Sequence, residues 1–418
     1  MGVDNGKGTD VMTDTDADEL RSRMTAELAA YPMLVSDAIL AAVEAVPRHL
    51  FVPDVPLSQA YGLDSVVTHR DEVGVALSSA SDLTIVADML KKLDVRSGHR
   101  VLEIGAGTGY NAALLRYLVG RDGSVTTIDI LEQAVDEARE HLTAAGFGDV
   151  TVVHGDGELG VPEGGPYDRI IVTAGASDLP PAWAEQLAPD GRLVVPLRIK
   201  GLTRMVTFER RDGHWRGLDM EECGFMPMRG EGQTVEHNLS LRGETGVVVR
   251  TDGGEPLDAA ALSGVLDGPA TVVWTGVTAD HGVFADLDFW LAEVPGFARV
   301  IMMGSGVATG LVKPQYDWGS MGAVAGDTVA HLTLRPAGPA STAVEMGVCG
   351  YGPGTADLFD RLAERVNAWD REMNGTGDHL WIEVHPADAE RLPAAMVRVH
   401  RRYNQIVVGR APADGHAG

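Results

Sequence analysis

The 418-residue chain is poor in cysteine, in basic side chains and in long apolar runs. Its two cysteines, Cys223 and Cys349, lie far apart, which excludes a disulfide framework and a cysteine-based zinc site. They read as two buried thiols in a reducing cytoplasm. Lysine and arginine number 34 against 60 aspartates and glutamates, a formal charge of −26. That shortage of cations argues against a nucleic-acid partner, which needs a basic face, and against an anionic membrane surface. An acidic field favours a cationic small molecule or a neutral or basic peptide instead. No uninterrupted apolar stretch reaches the roughly 18 residues needed to cross a bilayer. The first 18 residues lack the basic and apolar regions of a signal peptide, so a cytoplasmic protein is expected. What is present, 44% hydrophobic residues over this length, is enough for two domains, each with its own core.

Helical spacing of Leu20, Met24, Leu28 and of Ile39, Val43, Val46 predicts two N-terminal helices before a proline-broken segment. A further helix is expected over Ser81 to Leu93. From Arg100 the pattern alternates strand and helix: strands at Arg100–Ile104, Ser124–Asp129, Val150–His154, Tyr167–Thr173 and Arg192–Leu197, helices at Tyr110–Val119, Leu131–Ala145 and Pro181–Leu187. Such alternation predicts an α/β fold with a doubly wound, mainly parallel, Rossmann-like sheet and its ligand at the carboxyl ends of the strands. After about Gly232 the rhythm breaks, and a second, α+β domain is expected. It has a hairpin over Leu239–Arg242 and Gly246–Thr251, strands at Thr271–Thr278, Arg299–Met303, Leu380–Val384 and Gln405–Val408, and helices over Phe284–Val294 and Thr355–Met373. The organisation is thus a tail over 1–18, domains over 19–232 and 233–410, and a tail over 411–418.

The strongest local signal is Val101-Leu102-Glu103-Ile104-Gly105-Ala106-Gly107-Thr108-Gly109-Tyr110, a buried strand running into Gly-x-Gly-x-Gly at a helix start. A dinucleotide fingerprint would read Gly-x-Gly-x-x-Gly and place a pyrophosphate on that helix. Here the third glycine comes one residue early and the acid Glu103 precedes the first. This suits S-adenosylmethionine, which has no phosphate and carries sulfonium and amino charges. The next strand ends in Asp129-Ile130, whose carboxylate can accept both ribose hydroxyls; the third ends in Gly155-Asp156-Gly157, where Asp156 can meet the adenine amino group. Each acid also has a local reading, Asp129 as a helix cap and Asp156 as a turn residue. Three acids at three successive strand ends with a glycine-rich turn favour the cofactor. No metal-ligand spacing is found.

Val46-Pro47-Arg48-His49-Leu50-Phe51-Val52-Pro53, Asp168 to Ala176 and Gly191 to Pro196, taken with Glu103 to Tyr110, resemble the protein-L-isoaspartate O-methyltransferase family over about residues 20 to 232. The resemblance implies a class I methyltransferase that uses S-adenosylmethionine, releases S-adenosyl-L-homocysteine and acts on a peptide or protein carboxylate. In that family a Gln-Thr-Ile-Ser segment leads into a helix and its Ser contacts the acceptor. The matching residues here are Ser78-Ser79-Ala80-Ser81, which puts Ser81 at the contact, although Ser81 is also a natural helix N-cap. Thr173 would line the same cleft. His69 and Arg70 lie near the acceptor segment, whereas Arg48 and His49 read as structural. The altered segment, the second domain and Phe225-Met226-Pro227-Met228-Arg229-Gly230 resemble a subgroup that tailors ribosomally made peptides. These homologues accompany lanthipeptide, graspetide and lasso-peptide pathways, including the FxLD type, and esterify an ordinary Asp.

The implied function is methylation of an Asp side chain in a modified peptide, leading through the ester to aspartimide or isoAsp. The alternative is repair of isoaspartyl damage. A binding protein with a relic core, and a nicotinamide oxidoreductase, are the competing classes; intact glycines and their spacing speak against each. Trp274, Trp290, Trp318 and Trp369 could line a peptide groove in the second domain or belong to its core.

Overall fold

The computed structural model describes residues 14–72, 76–241, 246–253, 256–280, 286–302, 315–316, 319–339 and 341–412. Most of the two expected tails, together with Val73, Gly74, Arg242, Phe284, Met303 and Trp318, lies outside them. The chain forms two compact units. One holds the residues to Pro196, Met205–Arg211 and Cys223–Gly232; the other holds Leu197–Arg204, Asp212–Glu222 and the residues from Gln233 onward. The sequence placed one boundary at 232. The chain passes between units at further points because two long strands, β7 (Leu187–Ile199) and β8 (Leu202–Arg211), contribute to both.

The first unit opens with α1 (Asp14–Leu28) and α2 (Asp37–Ala45), so the helix begins inside the expected tail. Ser36 caps α2 by accepting from Ile39 N. A short α3 (Leu57–Ala60) precedes an antiparallel hairpin, β1 (Val66–Arg70) and β2 (Ala76–Ala80), which the sequence reading had not assigned. Then come α4 (Leu83–Leu93), β3 (Arg100–Ile104), α5 (Tyr110–Val119), β4 (Ser124–Asp129), α6 (Glu132–Ala144), β5 (Thr151–His154), β6 (Tyr167–Val172) and α7 (Pro181–Gln186). The parallel strands lie in the order β5-β4-β3-β6-β7. Val101, Leu102, Ile170, Ile171 and Val172 are fully buried, as expected for strands covered on both faces. Helix α4 buries Leu83, Val86, Ala87, Leu90 and Leu93, one stripe at helical spacing, into the same core as Ile39, Val43 and Leu114.

The second unit carries β9 (His214–Gly217), β10 (Glu221–Glu222), β11 (Glu236–Ser240), β12 (Val247–Asp252), β13 (Thr271–Asp280), α8 (Leu287–Leu291) and β14 (Phe297–Met302). These are followed by β15 (Gly319–Ala325), β16 (Thr328–Pro336), β17 (Ala343–Tyr351), α9 (Thr355–Glu372), β18 (His379–Pro386), β19 (Val397–His400) and β20 (Asn404–Ala411). Among the described residues, β11-β12-β14-β15-β16-β17-β13 form one antiparallel sheet, and β19-β20-β18-β9 run side by side in another. The run β15 to β17 escaped the sequence reading. Its first strand, Gly-Ser-Met-Gly-Ala-Val-Ala, has few of the β-branched and aromatic residues that mark a strand. Helix α9 buries Leu358, Leu362, Val366 and Trp369 on its apolar stripe. Trp290 and Trp369 are core, while Trp274 is half-buried beneath the Arg335 guanidinium, 4.0 Å from its ring centre. Those three do not form an exposed aromatic groove. Cys349 is buried and Cys223 half-buried, and neither is in a disulfide. No helix among the described residues is long and apolar enough to cross a membrane.

Candidate active site

Strand β3 is flanked by β4 on one side and β6 on the other, so the chain winds away from it in both directions. In doubly wound sheets such a reversal is where ligands bind, outside the carboxyl ends of the strands. Hydrogen bonds extend past those ends: Gly105 N donates to Ile128 O at 2.8 Å, Thr173 N to Ile104 O at 2.8 Å, and Gly155 N to Asp129 O at 2.9 Å. The loops after β3, β4, β5 and β6 therefore leave from one bonded platform.

Gly105 (φ 103°) and Gly107 (φ 51°) both adopt backbone that side chains rarely take. A Cβ on Gly105 would collide with Thr173 Oγ1, and one on Gly107 would face Ser79 O at 3.6 Å and Ser78 Oγ at 3.7 Å. The glycine-rich turn thus passes directly beside the serine segment. Thr173 Oγ1 lies within hydrogen-bonding reach of Gly105 O (2.8 Å) and Ile104 O (3.1 Å), bracing the turn from the end of β6. Asp129 Oδ2 accepts from Gly107 N and Oδ1 from Leu131 N, each at 3.0 Å. This carboxylate holds the turn and the entry to α6, and it retains acceptor capacity for two ligand hydroxyls.

The other two acids are each engaged by protein groups. Glu103 is fully buried; its Oε1 accepts from Asn111 Nδ2 at 2.7 Å and its Oε2 from Thr127 Oγ1 at 2.6 Å. Burial raises its pKa to about 7, against the opposing pull of those two hydrogen bonds. It joins β3, β4 and α5 under the turn instead of presenting an open carboxylate. Asp156 Oδ1 accepts from Glu158 N at 3.0 Å and Oδ2 from Glu231 N at 2.8 Å. It anchors the segment Cys223–Gly232, which also pairs with the loop after β6 through Gly175 N to Met226 O (2.7 Å) and Met228 N to Gly175 O (2.9 Å). Of the remaining predicted cofactor residues, Ile130 and Gly155 are half-exposed; Ala106, Thr108, Gly109 and Gly157 are buried. Tyr110 is core, with Arg48 5.1 Å from its ring centre, and burial pushes its phenol up to about 12.

Ser78 is buried and Ser79 half-buried on β2, and Ser81 is half-buried just after it. Ser81 is not the helix cap that the sequence allowed. Asp82 takes that part, accepting from Thr84 N at 2.8 Å and Ile85 N at 3.4 Å. The Ser81 carbonyl instead accepts from Arg48 Nη2. His69 Nε2 lies 3.1 Å from Glu137 Oε1 of α6, so this histidine braces the hairpin; Arg70 is exposed. His49 Nδ1 lies 2.6 Å from Tyr61 Oη in a packed pair, consistent with a structural part. Asn111, Thr127 and Asp82 carried no motif and escaped sequence reasoning. The hairpin could have been found from the Val-Val-Thr-His-Arg and Ala-Leu-Ser-Ser-Ala runs around a glycine-containing break.

The donor set fits S-adenosylmethionine. Gly105 and Gly107 are half-exposed, so a ligand can approach the turn, and Asp129 accepts from Gly107 N beside it. None of Glu103–Tyr110, Asp129–Leu131 or Gly155–Gly157 contains a Lys or Arg that a pyrophosphate would recruit.

Comparison with known proteins agrees. The sequence model of the protein-L-isoaspartate(D-aspartate) O-methyltransferase family matches residues 19–233. The protein-L-isoaspartate O-methyltransferase of Methanococcoides burtonii is 39% identical over 193 residues, 46% of this chain and 92% of the relative. That of Methanopyrus kandleri is 38% identical over 213 residues, 50% of this chain and 92% of the relative. A solved protein-L-isoaspartate O-methyltransferase superposes with a TM-score of 0.49 at 22% identity, covering 87% of this chain and 96% of that one. A Plasmodium falciparum structure with S-adenosyl-L-homocysteine gives 0.44 at 17% identity, covering 50% of this chain and 98% of that one. Family match, coverage of the relatives and cleft geometry together make this chain a member of the protein-L-isoaspartate(D-aspartate) O-methyltransferase family and an S-adenosylmethionine-dependent methyltransferase.

Proposed function

We propose that this protein esterifies the free α-carboxylate of isoaspartyl residues in peptides and proteins, the first step of isoaspartate repair. The observation that carries this reading is the close approach of Gly107 to Ser78 and Ser79, which sets the acceptor segment against the cofactor turn. Relatives bearing the protein-L-isoaspartate O-methyltransferase name are spanned nearly end to end by the first half of the chain, which supports the same substrate.

S-adenosylmethionine supplies a methyl group made electrophilic by its sulfonium. The acceptor carboxylate is already ionised at neutral pH, so the residues need not remove a proton. Their work is alignment and exclusion of water. Ser81 donates its hydroxyl to one carboxylate oxygen and leaves the other free to attack in line. Arg48 fixes the backbone from which Ser81 projects, and Thr173 keeps the glycine turn from shifting. The Gly105–Gly107 turn and Asp129 would hold S-adenosylmethionine, which would give up its methyl to that oxygen with the methyl–sulfur bonding pair left on sulfur. In the released ester the following amide nitrogen attacks the carbonyl, methanol leaves, and hydrolysis of the succinimide gives Asp or isoAsp.

A second reading, methylation of an ordinary Asp in a ribosomally made modified peptide, is favoured by two observations. The acceptor segment reads Ser78-Ser79-Ala80-Ser81, and about half of the chain has no counterpart in the matched curated relatives. On that reading the second unit recognises the peptide. Methyl transfer to paired peptides that differ only in isoAsp or Asp, linear and macrocyclic, separates the two. Turnover of generic linear isoAsp peptides supports repair; turnover confined to Asp in a constrained peptide overturns it in favour of tailoring.

A further inference from the structure

We propose that His214, Glu383 and His385 form a binding site for a divalent transition-metal ion of the zinc class within the second unit. The three residues belong to the second unit and are not among those assigned to methyl transfer.

Their placement follows from strand register. Strands β18 and β9 pair antiparallel with Glu383 opposite Arg216 and Val384 opposite Trp215. The next step along brings His385 opposite His214. Val384 and Trp215 are buried, so alternation of side chains sends Glu383, His385 and His214 together to the other face. There the potential ligand atoms all lie within 4.8 Å of one another. His385 Nε2 is 2.9 Å from Glu383 Oε2, and His214 Nε2 is 3.8 Å from Glu383 Oε1. The imidazoles stack with centroids 4.5 Å apart and planes 14° from parallel. Tetrahedral coordination at about 2.0–2.1 Å sets neighbouring ligand atoms about 3.3 Å apart. The observed separations bracket that value, so small rotamer changes suffice to close around an ion.

The frame is held in advance. On its other edge β18 pairs with β20, where Val407 faces Glu383 and Gln405 faces His385. Both are buried, and Gln405 Nε2 donates to Ala387 O at 3.0 Å and Ala389 O at 3.1 Å, fixing the turn that follows β18. The ligand side chains are 19%, 25% and 12% exposed in the order His214, Glu383, His385, open enough for an ion to enter. Two imidazoles and one carboxylate select zinc, cobalt, nickel or ferrous iron over calcium and magnesium, which take oxygen sets. An ion held there would link β9 to β18 and stabilise the unit they belong to.

The test uses the full-length protein, freed of metal with a chelator and titrated with Zn²⁺ by calorimetry, with melting curves alongside. One equivalent of Zn²⁺ is expected to bind and to raise the melting temperature of the wild type. His214→Ala and His385→Ala are expected to lose that equivalent, and the near-isosteric Glu383→Gln to weaken it by at least about 10-fold. Far-UV circular dichroism of each variant in chelator shows whether it folds, and Glu383→Gln preserves the test if either alanine variant does not. Equal stoichiometry and affinity in wild type and Glu383→Gln would place the zinc on other histidines and overturn the proposal. So would absence of binding by the wild type, leaving a His385–Glu383 hydrogen bond with His214 stacked beside it. Neither result bears on methyl transfer.

Discussion

Arg48 Nη2 donates to the main-chain carbonyl of Ser81 at 3.0 Å, and the same nitrogen reaches Asp64 O at 3.3 Å. The guanidinium is fully buried, and burial draws its pKa down while Tyr110 opposes the shift. It lies over the Tyr110 ring, so one cation ties the Val-Pro-Arg segment, the acceptor loop and the first turn of α5. The residues that read as a family signature therefore reach Ser81, the proposed acceptor contact, through its backbone carbonyl.

Replacing Arg48 with Met removes both hydrogen bonds and leaves the Asp64 and Ser81 carbonyls without that donor. A loss of about 2–4 kcal/mol is expected by urea denaturation. In the same variant the KM for peptide should rise more than the Kd for S-adenosylmethionine. Unchanged stability would show that the carbonyls find other partners.

Ser81 and its neighbour can be separated. Because Asp82 caps α4, Ser81→Ala should leave stability within about 0.5 kcal/mol of wild type. Its kcat/KM for peptide should fall roughly 10- to 100-fold, about the loss of one hydrogen bond to a charged acceptor. Asp82→Ala should show the reverse pattern, losing about 1 kcal/mol of stability. Equal kinetics for Ser81→Ala and wild type would remove Ser81 from the acceptor site.

Gly105→Ala puts a methyl group onto Thr173 Oγ1 at a φ of 103°. Displacing that hydroxyl also disturbs its contacts with Ile104 O and Gly105 O. Calorimetry should record loss of S-adenosylmethionine affinity by more than about 10-fold, with a lowered melting temperature. Retained affinity would show that the turn relaxes without cost.

Glu103 makes stability depend on pH in a stated direction. Its pKa is raised from 4.5 to about 7, so the folded state holds a proton that the unfolded state has released. The resulting stabilisation is fully present below about pH 4.5 and is lost as pH rises through about 7. A shift of this size corresponds to roughly 3 kcal/mol. Glu103→Gln mimics the protonated carboxyl and should gain stability relative to wild type across that window. Parallel pH profiles for the two proteins would show that Glu103 does not titrate there.

By itself the sequence determined the strand–helix alternation from β3 to β6, the glycine turn and the end of β4 at Asp129. Each of these rests on local chemistry: a buried parallel strand is a continuous apolar run, and a turn needs residues that tolerate its backbone. The same reading left Glu103 and Asp156 facing a ligand. Only the tertiary structure showed which protein groups engage them, because their partners Asn111, Thr127 and Glu231 arrive from separate elements that no spacing rule connects. The cap at Asp82 went unread because Ser81, one residue earlier, is an equally good capping type. The meeting of His214 with Glu383 and His385 was likewise invisible, since it depends on which strands pair and in what register, which long-range packing fixes.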